Sequence, residues 1–264
     1  MQRFLSGAPR QMMRLTLVRR RRLSPHLVRA TIGGQELAGF VPLGGDQCFR
    51  LFFPRTGQTI LRMPTLANNG WMAQYFLMSS STRPHVRSYT VRAFRPEALE
   101  LDVDFVVHGD GPASTWVQNA EPGSPVGLFD EGRMYQLREG AAWQLLVADE
   151  SGLPAALAIA EETPTTVPTR LIVEVPSNDD AFDTELGEHV RVTWLPRRTT
   201  SVQPGHRALE TTVAAPVPPG AGSVFVAGEN ALATGVRRGL VAAGVPKTAI
   251  SFFGYWKHGR AAIG

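Results

Sequence analysis

The chain has 264 residues, a formal net charge of +4 and 43% hydrophobic residues. This length suits one large domain or two ordinary ones, and a charged content of only 19% argues against wholesale disorder. The single cysteine, Cys48, excludes an intrachain disulfide framework and a cysteine-rich zinc or iron–sulfur site within this chain. Residues 1–13 lack a signal-peptide core and no stretch is apolar enough to cross a bilayer, so we expect a cytoplasmic protein without membrane insertion.

The positive charge is concentrated in LVRRRRLSPHLVRA, residues 17–30. A basic run of this kind forms either a solvated strand face or an arm that binds nucleic acid. Nucleic-acid-binding surfaces interleave aromatic residues with basic ones, and no aromatic residue lies near Arg19–Arg22. We therefore favour the strand face and expect no nucleic-acid partner.

Short apolar or alternating runs separated by glycine and proline fill about the first 135 residues, among them RLTLVRR, QCFRLFFP and LELDVDFVVHG. This rhythm is typical of an antiparallel β-barrel or sandwich. Residues 56–85 are long for a hairpin loop, and they either cover a ligand or form a short helix.

The rhythm changes after residues 138–143. Compact apolar runs such as WQLLVADE and GSVFVAGEN alternate with helical patterns such as LPAALAIAEET, which predicts a parallel α/β sheet of the nucleotide-binding type. We predict a β-barrel domain over residues 1–138 and an α/β domain over residues 139–264.

The strand RSYTVRAF places Arg87 and Tyr89 on one face, because side chains alternate along a strand. Arginine suits a diphosphate, tyrosine offers a flat surface to a heteroaromatic ring, and Thr90 adds a donor beside them. The motif is short, and an ordinary exposed strand containing one aromatic residue would look the same.

A glycine-rich turn, HGDGPAS, follows the strand LELDVDFVV and precedes a helical pattern. Glycine allows backbone N–H groups to approach a phosphate, and a helix N-terminus favours negative charge. Gly109, Gly111 and Ser114 therefore predict a phosphate cradle, although a simple turn with a helix cap would use the same residues.

These motifs, followed in order by EPGSPVGLF, LLVADESGLPAALAIAEETP, FVAGENALATGVRRGL and FFGYWKHGR, resemble the siderophore-interacting protein family over residues 12–260. The family consists of flavin-dependent ferric-siderophore reductases related to ferredoxin reductases. The resemblance implies a barrel that binds FAD and a sheet that binds NAD(P)H. The residues that it assigns to FAD are Arg87, Tyr89, Thr90, His108, Gly109, Gly111, Pro112, Ala113, Ser114 and Trp256.

The second half lacks a G-x-G-x-x-G fingerprint. ADESGLPA and VAGENA instead place backbone N–H groups at helix starts, where the phosphates of a nicotinamide nucleotide could bind. The candidate residues are Asp149, Glu150, Ser151, Gly228 and Glu229, and the three acids could equally be ordinary helix-start residues. Family members differ in electron donor, so ferredoxin is an alternative to NAD(P)H.

Basic positions of the family match Arg50, Lys257 and Arg260, which we expect to bind an anionic ferric siderophore. The family often has lysine at the first position, and arginine keeps the charge but changes the hydrogen-bond geometry. The sequence departs from the family in LFDEGR, which places Asp130 and Glu131 where we expect a neutral segment rich in glycine and proline.

The predicted reaction reduces a ferric siderophore so that Fe(II) is released, with no protein nucleophile and no metal ligands in the chain. A flavin accepts two electrons as a hydride and passes them on singly, which matches a two-electron donor to ferric iron. The alternatives are a generic flavin or ferredoxin reductase of the same architecture and a non-enzymatic basic module that binds nucleic acid. We expect a monomer.

Overall fold

The computed structural model describes residues 10–197 and 203–260. The chain divides into two compact units, the first ending at Met134 and the second beginning at Tyr135. The predicted division between residues 138 and 139 lies slightly further along, and the assignment of a role to each range stays a prediction. Residues 1–9, which carry most of the segment without a signal-peptide core, lie outside the described residues.

The first unit is built on one antiparallel sheet, in the strand order β4-β3-β7-β1-β2-β6-β5. The sheet curls so that β4 also lies against β6. The strands are β1 (Met12–Ser24), β2 (Leu27–Gly33), β3 (Cys48–Phe53), β4 (His85–Thr90), β5 (Ala93–Arg95), β6 (Glu100–Val106) and β7 (Pro125–Gly132). Two helices, α1 (Trp71–Leu77) and α2 (Pro112–Asn119), accompany these strands.

Side-chain alternation builds the core of the first unit. Met13, Leu15 and Leu17 of β1 are buried and pack with Phe49 and Leu51 of β3. The polar residues between them in β1 face outward, as expected for a sheet with one buried face. The four consecutive arginines lie within β1 and are exposed, which agrees with the predicted solvated strand face.

The segment 56–85 contains helix α1, one of the two possibilities that the sequence left open. Trp71 and Tyr75 are four residues apart, so they share one face of the helix and are buried together. Both rings pack against Phe52 of β3, on the side of the sheet away from the main core.

The second unit contains a parallel sheet in the order β10-β9-β8-β11-β12. The strands are β8 (Trp143–Ala148), β9 (Thr169–Val175), β10 (Val190–Pro196), β11 (Gly222–Glu229) and β12 (Ile250–Trp256). Its helices are α3 (Leu153–Glu162), α4 (His206–Ala214) and α5 (Asn230–Ala242). Every residue of β8 and β11 is buried, because helices cover both faces of a parallel sheet.

An antiparallel β unit followed by a parallel α/β unit is the predicted fold class. The carboxyl ends of β8, β11 and β12 lie side by side, since these strands are parallel neighbours. Ligand-binding loops of α/β sheets lie at such edges. None of the helices in the described ranges combines the length and apolar character required to span a bilayer.

Candidate functional site

Strand β4 orients the RSYT residues as alternation predicts. Tyr89 lies on the face toward the unit's core, with its ring centroid 4.3 Å from that of Phe105. Arg87 shares this face, is half-buried, and donates from Nη1 to the carbonyl of Val86 at 2.7 Å. Burial raises the pKa of Tyr89 against the opposing charge of Arg87. Thr90 is buried.

An aromatic cluster that sequence reasoning missed connects β4 to the glycine-rich turn. Phe105 of β6 packs against Tyr89 on one side and against Trp116 of α2 on the other, with centroids 5.7 Å apart in the latter pair. Helix α2 also lies against β4. The two motifs, about twenty residues apart in sequence, are therefore neighbours in the first unit.

The turn from β6 to α2 is closed by its own serine. The Ser114 hydroxyl oxygen accepts a hydrogen bond from the His108 backbone N–H at 3.2 Å. The same hydroxyl lies 3.4 Å from the carbonyl of Val106 and 3.2 Å from that of His108, and it donates to one of them. Ser114 thus shapes the turn, while His108 is exposed beside it.

The turn leaves space on its outer side. Gly109 has φ +51°, and apart from Gly109 and its two chain neighbours no atom of the described residues lies within 4 Å of the position a Cβ would take. Helix α2 starts at Pro112 after Gly111, which has no side chain to cap the first N–H groups. The N–H groups of Ala113 and Ser114 therefore resemble the unpaired donors of other helix starts. This donor set and open approach fit the diphosphate of a dinucleotide cofactor.

In the second unit, Asp149 follows β8 and is fully buried. Its Oδ1 accepts hydrogen bonds from Ser151 N, Ser151 Oγ and Gly152 N at 2.8, 2.6 and 3.2 Å. Its Oδ2 accepts from Glu229 N at 2.7 Å and from Trp256 Nε1 at 2.9 Å. Burial raises the pKa of this carboxyl, although the five donors oppose the shift. The predicted nicotinamide-binding carboxylate is thus saturated by contacts within its own unit.

Glu229 makes a second connection of the same kind. It is buried, and its Oε2 caps α5 by accepting from the N–H of Ala231, while Oε1 accepts from His258 N at 3.1 Å. Gly228 precedes it with φ +144°, and a Cβ there would lie 2.5 Å from Cγ of Asp149. Asp149 and Glu229 therefore anchor the end of β12 and the residues that follow it. The sequence interpretation did not consider this role.

Glu150 lies in an ion-pair network that sequence reasoning also missed. Both of its oxygens accept from the Arg197 guanidinium, at 2.6 and 2.8 Å. Arg197 also lies 3.3 Å from the fully buried Glu174, which accepts from the N–H groups of Gly205 and Ala208. Burial raises the pKa of Glu150, and the Arg197 charge opposes this shift.

The carboxyl ends of β9 and β10 border a polar cavity of about 520 Å³. Its lining residues are Ser177, Asn178, Pro196, Arg197 and Arg207. Of the two arginines in this lining, Arg197 is already paired with Glu150 and Glu174. Nothing in the sequence indicated it, because its residues come from separate strand ends and a helix start.

The predicted basic residues lie in different surroundings. Arg50 of β3 pairs with Glu131, with Nε and Oε2 2.9 Å apart, and donates from Nη1 to Ser88 Oγ at 2.6 Å. Lys257 and Arg260 are exposed after β12, in a turn closed by Arg260 N donating to the Lys257 carbonyl at 3.0 Å.

Comparison with known proteins identifies the two halves. Residues 16–134 match the family model described as "Siderophore-interacting FAD-binding domain", and residues 141–259 match "Siderophore-interacting protein". The chain is 34% identical to the ferric vibriobactin reductase ViuB of Vibrio cholerae over 251 residues, covering 93% of this chain and 89% of that protein. It is also 34% identical to the NADPH-dependent ferric-chelate reductase of Escherichia coli, over 53% of each chain.

The structure resembles a siderophore utilization protein from T. fusca with a TM-score of 0.84. The two chains are 28% identical, and the superposition covers 97% of each. This similarity and the family matches confirm the predicted family resemblance and the predicted fold class.

Proposed function

Because this chain belongs to the siderophore-interacting protein family, we propose that it is a flavin-dependent reductase of ferric siderophores that uses NAD(P)H as electron donor. The observation that carries the proposal is the approach of α2 to β4. Helix α2, whose start has no side-chain cap, contacts the strand that carries Arg87 and Tyr89, and both elements lie inside the range of the FAD-binding family model.

Within the first unit, we assign the FAD diphosphate to the turn at Gly109 and to the N–H groups of Ala113 and Ser114. Arg87 supplies positive charge and Tyr89 a flat ring on the same face of β4. Thr90, His108, Gly111 and Pro112 shape this region. When bound, the flavin supplies the conversion between two-electron and one-electron transfer.

The second unit supplies the nicotinamide site in this proposal. The loops that follow β8 and β11 are the candidates for this site, and Asp149 holds both in place by accepting from the N–H groups of Ser151 and Glu229. The cavity lined by Arg207 and Ser177 is the candidate for a polar part of the nucleotide. The NADPH dependence in the name of the Escherichia coli relative supports this donor, and ferredoxin is the alternative.

In this proposal Arg50 is the candidate substrate residue of the first unit. Lys257 and Arg260 are the candidate substrate residues of the second unit, and Trp256 is its candidate cofactor residue. Trp256 is half-buried, and its indole N–H is fixed by Asp149. Iron release follows because the hard oxygen donors of siderophores hold Fe(III) much more tightly than Fe(II). A cytoplasmic location and a monomeric state are part of the proposal, and cell fractionation and sedimentation test them.

A steady-state assay tests the proposed activity. The FAD-reconstituted protein is mixed without air with NADPH, a ferric tris-hydroxamate and a chromogenic Fe(II) chelator. We expect coloured Fe(II) chelate only when protein, donor and ferric chelate are all present. Reduction of free flavin without Fe(II) formation would identify a generic flavin reductase. Activity only with reduced ferredoxin would show that ferredoxin, and not NADPH, is the electron donor.

A further inference from the structure

The Arg50 side chain in the first unit is already paired with a carboxylate. Its Nε lies 2.9 Å from Oε2 of Glu131, and the side-chain exposures are 32% and 11%. Ser88, directly opposite on β4, accepts from Nη1 at 2.6 Å. Arg50 is therefore held on the sheet surface with an immediate negative partner.

A β-bulge places Glu131 there. Cys48 pairs with Gly132 and Phe49 with Asp130, so Glu131 is the extra residue between these pairs. A bulge redirects the side chain of the extra residue, and here that side chain reaches the Arg50 face of the sheet. Burial, and after it the charges of Glu131 and Asp46, raise the pKa of the Cys48 thiol, while the Arg50 charge opposes the shift.

We propose that Glu131 sets the substrate class, so that this part of the site accepts neutral ferric chelates in preference to polyanionic ones. The inference rests on the proposed function, in which Arg50 contacts the ferric siderophore. Three hydroxamates neutralise Fe(III), whereas three doubly charged catecholates leave a complex with three negative charges. Glu131 offsets the positive charge of Arg50, so Arg50 attracts the trianionic complex only weakly. A neutral complex does not depend on that charge, because it binds through hydrogen bonds from the guanidinium N–H groups.

The consequence is a penalty that grows with ligand charge. A trianionic chelate that approaches Arg50 also approaches the Glu131 carboxylate, whose Oε2 lies 2.9 Å from Arg50 Nε, so repulsion offsets part of the attraction. Displacing Glu131 from Arg50 would leave a mostly buried carboxylate unpaired, which is unfavourable. Neutral chelates avoid both costs.

Glu131→Gln tests the proposal by equilibrium binding. Gallium(III) complexes have the charge of the iron(III) complexes but are not reduced, so their dissociation constants can be measured on the FAD-loaded protein. We expect Glu131→Gln to tighten the gallium tris-catecholate complex roughly tenfold and to leave the neutral tris-hydroxamate complex within about twofold. Glu97→Gln, at an exposed carboxylate between β5 and β6, controls for the change in net charge.

A second variant keeps the test decisive if Glu131→Gln folds poorly. Arg50→Gln leaves the Glu131 charge unopposed, so it should weaken the tris-catecholate complex about tenfold more than the tris-hydroxamate complex. Equal effects on both complexes, or effects matched by Glu97→Gln, would overturn the proposal. If the wild-type protein binds neither gallium complex and reduces neither ferric complex, the proposed function itself fails.

Discussion

The turn between β6 and α2 leaves space beside Gly109, whereas the ends of β8 and β11 in the second unit are filled by side chains of that unit. Both regions combine glycine with polar residues near a helix start. At Gly109 a Cβ would meet no atom of the described chain within 4 Å, but at Gly228 it would overlap Asp149. The same residue types thus serve ligand approach in one unit and internal packing in the other.

This contrast shows that glycine and acid at a strand end do not by themselves identify a ligand contact. Asp149 and Glu229 have the sequence positions expected of nucleotide-binding residues, yet their oxygens accept hydrogen bonds from Trp256 and His258. The distinguishing property is whether the backbone donors are already paired, which depends on tertiary contacts.

Gly228→Ala should give the largest effect, because it combines overlap with Asp149 and a φ of +144° that L-residues rarely adopt. We expect the free energy of unfolding of the second unit to fall by about 3 kcal/mol. Urea unfolding followed by near-UV circular dichroism measures the change. Wild-type stability in this variant would show that the strand ends are not closed as described.

Gly109→Leu should lower the affinity for FAD more than it lowers the stability of the fold. Its side chain would fill the space that we assign to FAD, and we expect FAD affinity to fall roughly tenfold or more. The substitution also costs about 1–2 kcal/mol in stability because of its positive φ.

Gly123→Leu is the matched control, since Gly123 has φ +88° and equally open surroundings within the described chain. It should cost similar stability and leave FAD affinity unchanged in a fluorescence titration. Equal affinity losses in the two variants would remove the turn from the FAD site.

Trp256→Phe tests the connection from Asp149 to the segment after β12. The variant keeps an aromatic ring but loses the indole donor 2.9 Å from Oδ2. We expect a loss of about 1–2 kcal/mol in unfolding free energy. A double-mutant cycle with Asp149→Asn should give a coupling of about 1 kcal/mol, and additive effects would contradict the connection.

His85 should produce the smallest effect, visible only in acid. Burial and the charges of Arg55 and Arg87 lower its pKa from 6.5 to about 4. Between pH 6.5 and pH 4, His85 is therefore protonated in the unfolded state but neutral in the folded state. The free energy of unfolding should fall as the pH drops through this range. His85→Gln should flatten this part of the melting-temperature curve. An unchanged slope in His85→Gln would show that His85 does not titrate as described.

The fold class could be predicted from the sequence because the patterns that indicate strands and helices are local. Alternation in β1 and the apolar runs of β8 and β11 indicate which faces are buried, and the structure has strands at each of these stretches. The site was predicted less completely. The Arg197 network and the contact between Asp149 and Trp256 join residues 47 and 107 positions apart, and no short motif encodes such pairs.

The visible spectrum of the protein tests whether it binds FAD and passes electrons from NADPH to a ferric siderophore. After incubation with FAD and desalting, it is recorded without air, before and after NADPH and then a ferric tris-hydroxamate are added. We expect flavin bands that are retained after desalting, bleach with NADPH and return with the ferric chelate. If the bands are retained but bleach only with another donor, that donor takes the place of NADPH in the proposed reaction. A protein that retains no flavin would contradict the proposal that it is a flavin-dependent reductase.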